Sequence, residues 1–227
     1  MIKMIKYVFL DILRNRIMLA YLLLLLVVSF SLFNLEDNSG KAVLGLLNVV
    51  LLIVPLVSVI FSTIYMYNSG EFIELLLAQP VKRSRLLLSI YGGLVISLGM
   101  AFCVGVGIPL LLYGLTRTGL MLLFCGIGLS IIFSSLSVLG AVCTRDKARG
   151  IGISLLLWFY FCFIFDGIVL LIMFQFADYP LEKTMIVLAS LNPVDLARIL
   201  MLLEMDMSAM LRLTGAVFQA FFGNNMG

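Results

Sequence analysis

Polar and apolar positions divide this chain into long blocks. Five apolar runs, near 17–33, 43–67, 87–113, 119–143 and 151–176, each reach roughly the 17 residues that a helix needs to cross a bilayer, and short polar segments separate them. The pattern predicts an all-α polytopic membrane protein with five transmembrane helices. Ahead of the runs, residues 1–16 place Lys3, Lys6, Asp11 and Arg14 on one arc of a helix and Ile5, Val8, Phe9 and Ile12 on the other. That predicts an interfacial N-terminal helix lying on the membrane. Arg14 and Arg16 lead into an apolar run with no small-residue cleavage site, which favours a retained span over a secretory signal.

Between the second and third runs, the stretch Gly70 to Arg85 has a helical period of its own. Glu71, Glu74 and Ala78 fall on one face, and Phe72, Ile73 and Leu76 fall on the opposite one. Pro80 cannot continue the helix, and Lys82, Arg83 and Arg85 follow it. The period predicts a short amphipathic helix ending in a basic cluster at a membrane surface; the alternative is a solvated loop whose arginines only set orientation.

After Asp178 and Tyr179, charges return at Glu182, Lys183, Asp195, Arg198, Glu204, Asp206 and Arg212. Asn192-Pro193 is a helix start, with asparagine as the cap and proline at the first position. Val194, Ala197, Leu200 and Met201 form an apolar strip to about Leu203, and Ser208 can open a second helix through Phe222. Two amphipathic helices on the outer side follow, and they need an apolar surface to cover: the membrane, the spans or a partner.

Composition agrees with the blocks, since 63% of the 227 residues are hydrophobic and 12% are charged. The distribution of the charge is more informative than its sum of +3. Lys3, Lys6, Arg14, Arg16, Lys82, Arg83, Arg85, Arg145, Lys147 and Arg149 lie on one side of the spans, and Lys41, Arg117 and Lys183 lie on the other. Ten cations against three put the amino terminus and the 68–86 loop in the cytoplasm. Nucleic acid is not an expected partner. Histidine is absent, no CxxC pair is present and the four cysteines lie in or at the ends of apolar runs, so no metal site is expected. Met201, Met205, Met207 and Met210 cluster in the outer segment, but 205 and 207 cannot share a helix face, and methionine is an ordinary filler there. With no phosphate-binding Gly-x-x-x-x-Gly-Lys-Ser/Thr loop, any ATPase of that type must be a separate chain.

Within the runs, Ser97, Ala101 and Gly105 recur at four-residue steps, as do Gly126, Ser130 and Ser134. Such stripes are read as close helix packing. Pro55 permits a kink in the second span. The inner loop Thr144 to Gly150 is an orienting anchor or a second contact with a partner. Asp166 stands about 22 Å along the fifth span at 1.5 Å per residue from Ile151. A charge there costs a few kcal/mol, which makes Asp166 a functional candidate or an acid that locks two helices together.

Gly70, Glu74, Leu75, Leu76, Leu77, Gln79, Pro80, Val81 and Arg83 make up a pattern that resembles the first cytoplasmic loop of ABC-2 type transporter permeases. The outer stretches Leu191 to Leu200, Leu213 to Phe218 and Phe221 to Gly223, with Leu157-Trp158 and Asp166-Gly167, are most similar to the NosY permeases of nitrous oxide reductase maturation complexes. The resemblance implies a single transmembrane domain over 1–227: an interfacial helix at 1–16, spans within 17–176, and a periplasmic segment at 177–227 leading to a sixth span expected of the family. It implies that Glu71, Phe72, Glu74, Leu75, Leu76, Gln79 and Pro80 form a coupling helix seated on a cytoplasmic ABC ATPase, the NosF-like partner, where ATP and Mg would be bound. It implies that Asn192, Pro193, Asp195 and Arg198 meet a periplasmic NosD-like protein, that a second copy completes the unit, and that the site is the bacterial inner membrane. The chain itself would be neither an enzyme nor a holder of a cofactor. Export of a substrate and mechanical relay to the periplasmic partner are the two functions expected; a secondary carrier would need more mid-membrane charges than Asp166.

Overall fold

The side chains of Asn15, Thr116, Asp146 and Asn192 cap the starts of four helices, and the long helices extend as far as their apolar residues continue. The computed structural model describes residues 2–36, 39–70, 83–113, 116–144, 146–176 and 182–206. Helix α1 covers Ile2–Leu13. Asn15 then caps α2, Arg16–Leu35, by accepting the Ile17 N–H at 3.0 Å. Helix α3 covers Ser39–Asn68 and carries Pro55 inside it; α4 covers Arg83–Tyr113. Thr116 caps α5, Arg117–Cys143, and Asp146 caps α6, Lys147–Phe159. A wide π-helical turn, Tyr160–Ile164, joins α6 to α7, Phe165–Gln175. Helix α8 covers Glu182–Leu191, and α9 covers 193–206, the last of the described residues.

Five of these segments are long and apolar enough to cross a membrane: α2, α3, α4, α5, and α6 with α7 as one unit, Lys147–Gln175. They coincide with the five apolar runs, and the protein is a multi-pass membrane protein of helices, with no strand among the described residues. The proposed coupling residues Glu71, Phe72, Glu74, Leu75, Leu76, Gln79 and Pro80 lie outside the described residues, as does the expected helix from Ser208 to Phe222.

Helix α4 is central and packs on α1, α2 and α5, while α3 packs chiefly on α5 and also on α6 and α2. The small-residue stripes are the contact lines. Ser97, Ala101, Gly105, Gly126, Ser130 and Ser134 are all buried. A Cβ on Gly105 would lie 2.8 Å from the Leu25 Cβ, and one on Gly126 would enter the Phe102 ring, so α2, α4 and α5 approach only because those side chains are missing. Ser97 and Ser130 donate to the carbonyls of Gly93 and Gly126, four residues back, at 2.7 and 2.9 Å. The apolar arc of α1 is likewise used by protein: Val8 and Ile12 are buried, and Gly93 of α4 leaves room for Val8.

The fifth unit is different. Only 6% of its most apolar stretch is buried, against 56% for α4. Its half nearer α1, inner by the sidedness expected from the charges, rests on α3 and α5, and its other half, outer by the same expectation, is met by the α8–α9 hairpin. Of the three surfaces expected to be covered by these helices, the membrane, the spans or a partner, the structure shows α9 on the spans. Asn192, at the hairpin tip, donates to the carbonyl of Phe161, near the middle of the 29-residue unit, whereas Glu204 pairs with Arg117 at the start of α5. Helix α9 therefore runs alongside the spans from mid-depth toward their outer ends. Its apolar strip covers them: Val194, Ala197 and Met201 belong to the core.

Candidate functional site

Two polar constellations lie at opposite ends of this frame. At the inner end, Thr63 of α3, Ser137 of α5 and Ser154 of α6 converge, all fully buried. Thr63 Oγ1 lies 2.6 Å from Ser137 Oγ and 2.8 Å from Ser154 Oγ, while Thr63 and Ser137 also reach the carbonyl of Val59 at 2.8 Å. Each is five to seven residues from the inner end of its helix, roughly 8–11 Å at the α-helical rise. Nearer the end, the Tyr67 hydroxyl donates to the Thr144 carbonyl at 3.1 Å, and Lys147 Nζ donates to Asn68 Oδ1 at 2.9 Å. Tyr65 donates to Asp11 Oδ2 of α1 at 3.1 Å. Gly150 admits the Tyr67 ring; any Cβ there would overlap it. The last two turns of α3 are thus fastened to α1, α5 and α6, and the 71–82 segment follows directly.

At the outer side, the structure joins candidates that the sequence presented apart. Arg198 Nη1 donates to Asp166 Oδ2 at 3.1 Å and to Asp195 Oδ1 at 3.2 Å. Asn192, wholly buried, caps α9 by accepting the Val194 N–H at 3.0 Å, and its amide donates to Asp195 Oδ2 at 2.9 Å and to the Phe161 carbonyl at 2.8 Å. Pro193 occupies the first helical position and lines an apolar recess of about 230 Å³ against Phe124, Gly128 and Ile132 of α5. Asp166 is thus an acid that ties two helices together.

Two carboxylates share one guanidinium here. Burial pushes the Asp195 carboxyl up to about 6, and the neighbouring Asp166 adds to the rise. The side chains of Arg198 and Asp166 are 41% and 31% exposed, and that of Asp195 is 13% exposed. Beneath it, Asp166, Val169, Ala189, Asp195 and Arg198 border a cavity of about 280 Å³.

Three features had no readable signal or only a weak one. The π turn cannot be seen in periodicity, although it falls in the aromatic run Trp158 to Phe165, where Trp158 packs edge-on to Phe163 at 5.7 Å and donates to the Leu52 carbonyl at 3.3 Å. Helix α8 lacks a strong start signal. Thr63, Ser137 and Ser154 are single hydroxyls within apolar runs, which only the packing relates. Of the methionine cluster, Met201 faces the core, and Met207 and Met210 lie outside the described residues. Among the described residues no three of histidine, cysteine, aspartate and glutamate meet as a metal set. The chain matches no protein-family model and no curated protein, and the reading of its function rests on its own residues.

Proposed function

We propose that this chain is the membrane subunit of an ABC transporter, an ABC-2 type permease of the NosY kind, which passes the work of a separate cytoplasmic ATPase across the bacterial inner membrane. The observation that carries the reading is the bolted inner end of α3. A segment at 71–82 pushed by an ATPase would act on a helix terminus fixed to α1, α5 and α6, so a local displacement would move three neighbours together. The ten-to-three distribution of cations supports the orientation, with the N-terminus in the cytoplasm. ATP and Mg belong to the ATPase in this reading, and two copies of the chain form the working unit.

Mechanical relay is the second reading, and the outer hairpin supports it. Helix α9 grips the fifth unit at mid-depth and ends near its outer side, so movement of the span has a route to a periplasmic NosD-like partner without cargo crossing. Copper-site maturation of nitrous oxide reductase is the process to which the sequence resemblance assigns either reading.

Co-purification from native membranes tests the proposal. Recovery of a P-loop ATPase together with a periplasmic protein is expected; recovery of neither overturns it. Replacing Glu71 and Glu74 together by Lys is expected to abolish stimulation of the ATPase while the protein remains in the membrane, and unchanged ATP turnover would remove the coupling role.

A further inference from the structure

Between Tyr160 and Ile164 the fifth unit winds wider than an α-helix, and the Phe165 N–H bonds the Tyr160 carbonyl five residues back. Such a turn holds one residue more than the α register accommodates, and it persists where surrounding structure offsets its poorer geometry. The surrounding structure here is the hairpin tip. Asn192 holds the Phe161 carbonyl and Arg198 holds the Asp166 carboxylate. These anchor points are also five residues apart. In an α-helix, residues five apart point about 140° away from each other. Where bonds close at the fifth residue they stack much more nearly one above the other, so one short helix can hold both.

We propose that the α8–α9 tip is a latch for the wide register, and that releasing Asn192 and Arg198 lets the fifth unit rewind into a continuous α-helix. Rewinding turns α7 by roughly a quarter turn, the difference between the two registers over five residues. Three observations make this a two-state element. Asn192 is fully buried and its amide is satisfied only by Phe161 and by Asp195 within the hairpin, so the clasp is exact in its demands on the turn. The cavity of about 280 Å³ beside Val169 and Leu170 gives side chains on α7 room to move. The outward face of α7, with Leu171 69% and Phe174 81% exposed, carries no packing from other described residues of the chain that would oppose the rotation. The inference stands apart from the proposed partners, because it concerns the helix register alone.

Distance measurement between nitroxides tests it in the full-length protein in lipid nanodiscs. The labels are attached to ketone-bearing residues at Leu156 and Phe174, which leaves the four cysteines in place. The reference for the rewound state is an uninterrupted α-helix of 18 residues between the labels, a rise of about 27 Å at 1.5 Å per residue; deleting Phe163 removes the residue in excess, leaves α7 in the parent's register and serves as the control that cannot rewind. The parent protein is expected to give one distance population. N192A with R198A is expected to give a second population at the separation of the uninterrupted helix, and the same double substitution in the Phe163 deletion is expected to give none. Coincidence of the double variant with the parent would overturn the latch. If the double variant fails to fold, Arg198→Gln alone decides the matter, with a minor population at the reference distance expected and its absence counting against the proposal. Coupling must also be reciprocal. Inserting one Ala after Phe163, which sets the two anchor points six residues apart, is expected to speed amide exchange over 193–206 about tenfold, and unchanged exchange there would show that tip and turn are independent.

Discussion

The inner and outer ends of the bundle are held by different chemistry. At the inner end, neutral hydroxyls of Thr63, Ser137 and Ser154 meet in a buried interface, with Tyr67 and Thr144 beside them, and the charged Asp11 and Lys147 join only at its margin, each through a neutral partner. At the outer end, two carboxylates and one guanidinium meet at the edge of a cavity, and the helix that carries Asp166 is wound irregularly. Neutral bonds between apolar helices are individually weak but indifferent to pH and salt. A shared ion pair that is part-exposed is sensitive to both. The contrast separates a joint suited to transmitting force from a contact suited to being made and broken.

Removing charge from the outer contact tests that contrast most severely. Arg198→Met leaves Asp166 and Asp195 facing each other, a loss of 3–5 kcal/mol for a fully buried pair and about 2 kcal/mol here, because both partners of the Asp166 bridge are partly exposed. Trp158 is the sole tryptophan and stands between the π turn and Leu52, so its fluorescence reports the melt. A lowered midpoint in micelles is expected; a melt identical to the parent's would mean that the bridge holds nothing. Gly150→Ala comes next, at about 1–2 kcal/mol. The new methyl forces Tyr67 to swing away and give up Thr144, and since the tip of a tyrosine moves easily, the cost is mainly the lost hydrogen bond. Thr63→Val should cost about 1 kcal/mol, since it removes one hydroxyl from the knot and keeps its shape. If Thr63→Val cost more than Arg198→Met, the assignment of the inner end as the weakly bonded, many-handed joint would be reversed.

Much of this frame was legible, and the reason is the bilayer. A span must be long and apolar, so the five runs stand out, and Gly105 and Gly126 betray close packing because lipid leaves little else to bring helices together. Asn192-Pro193 was legible as a cap because capping is local chemistry. The location of that cap was not. An amphipathic helix looks alike whether it covers a membrane surface or a neighbouring span, and only the Phe161 carbonyl fixes Asn192 at mid-depth. Asp166 and Arg198, 32 residues apart, were both noticed, but their pairing depends on a hairpin whose first helix has no strong start signal and on a turn with no sequence period of its own.

The smallest effect expected distinguishes the two ends most cleanly, since it changes no residue. Asp195 faces Asp166 of α7, Arg198 and Asn192 of its own hairpin, and Cys162 of the π turn. Its carboxyl is raised from the ordinary aspartate range to about 6, so between about pH 4 and 6 the folded protein holds a proton that the unfolded chain has lost. Stability from this group is therefore full below that window and falls as pH rises through 6, because ionising Asp195 beside Asp166 restores the repulsion that one guanidinium must offset. The outer contact should be tighter at pH 5 than at pH 7.5, by about 1 kcal/mol once its partial exposure is allowed for. The inner knot of Thr63, Ser137 and Ser154 is made of hydroxyls alone. Amide exchange measured at both pH values, each corrected for its intrinsic rate, should show slower opening of 193–206 at pH 5 and no corrected change around Thr63. Asp195→Asn should remove the difference. A pH response of equal size at the two ends would mean that the whole bundle responds to acid, and the contrast between a neutral joint and an ionic clasp would fail.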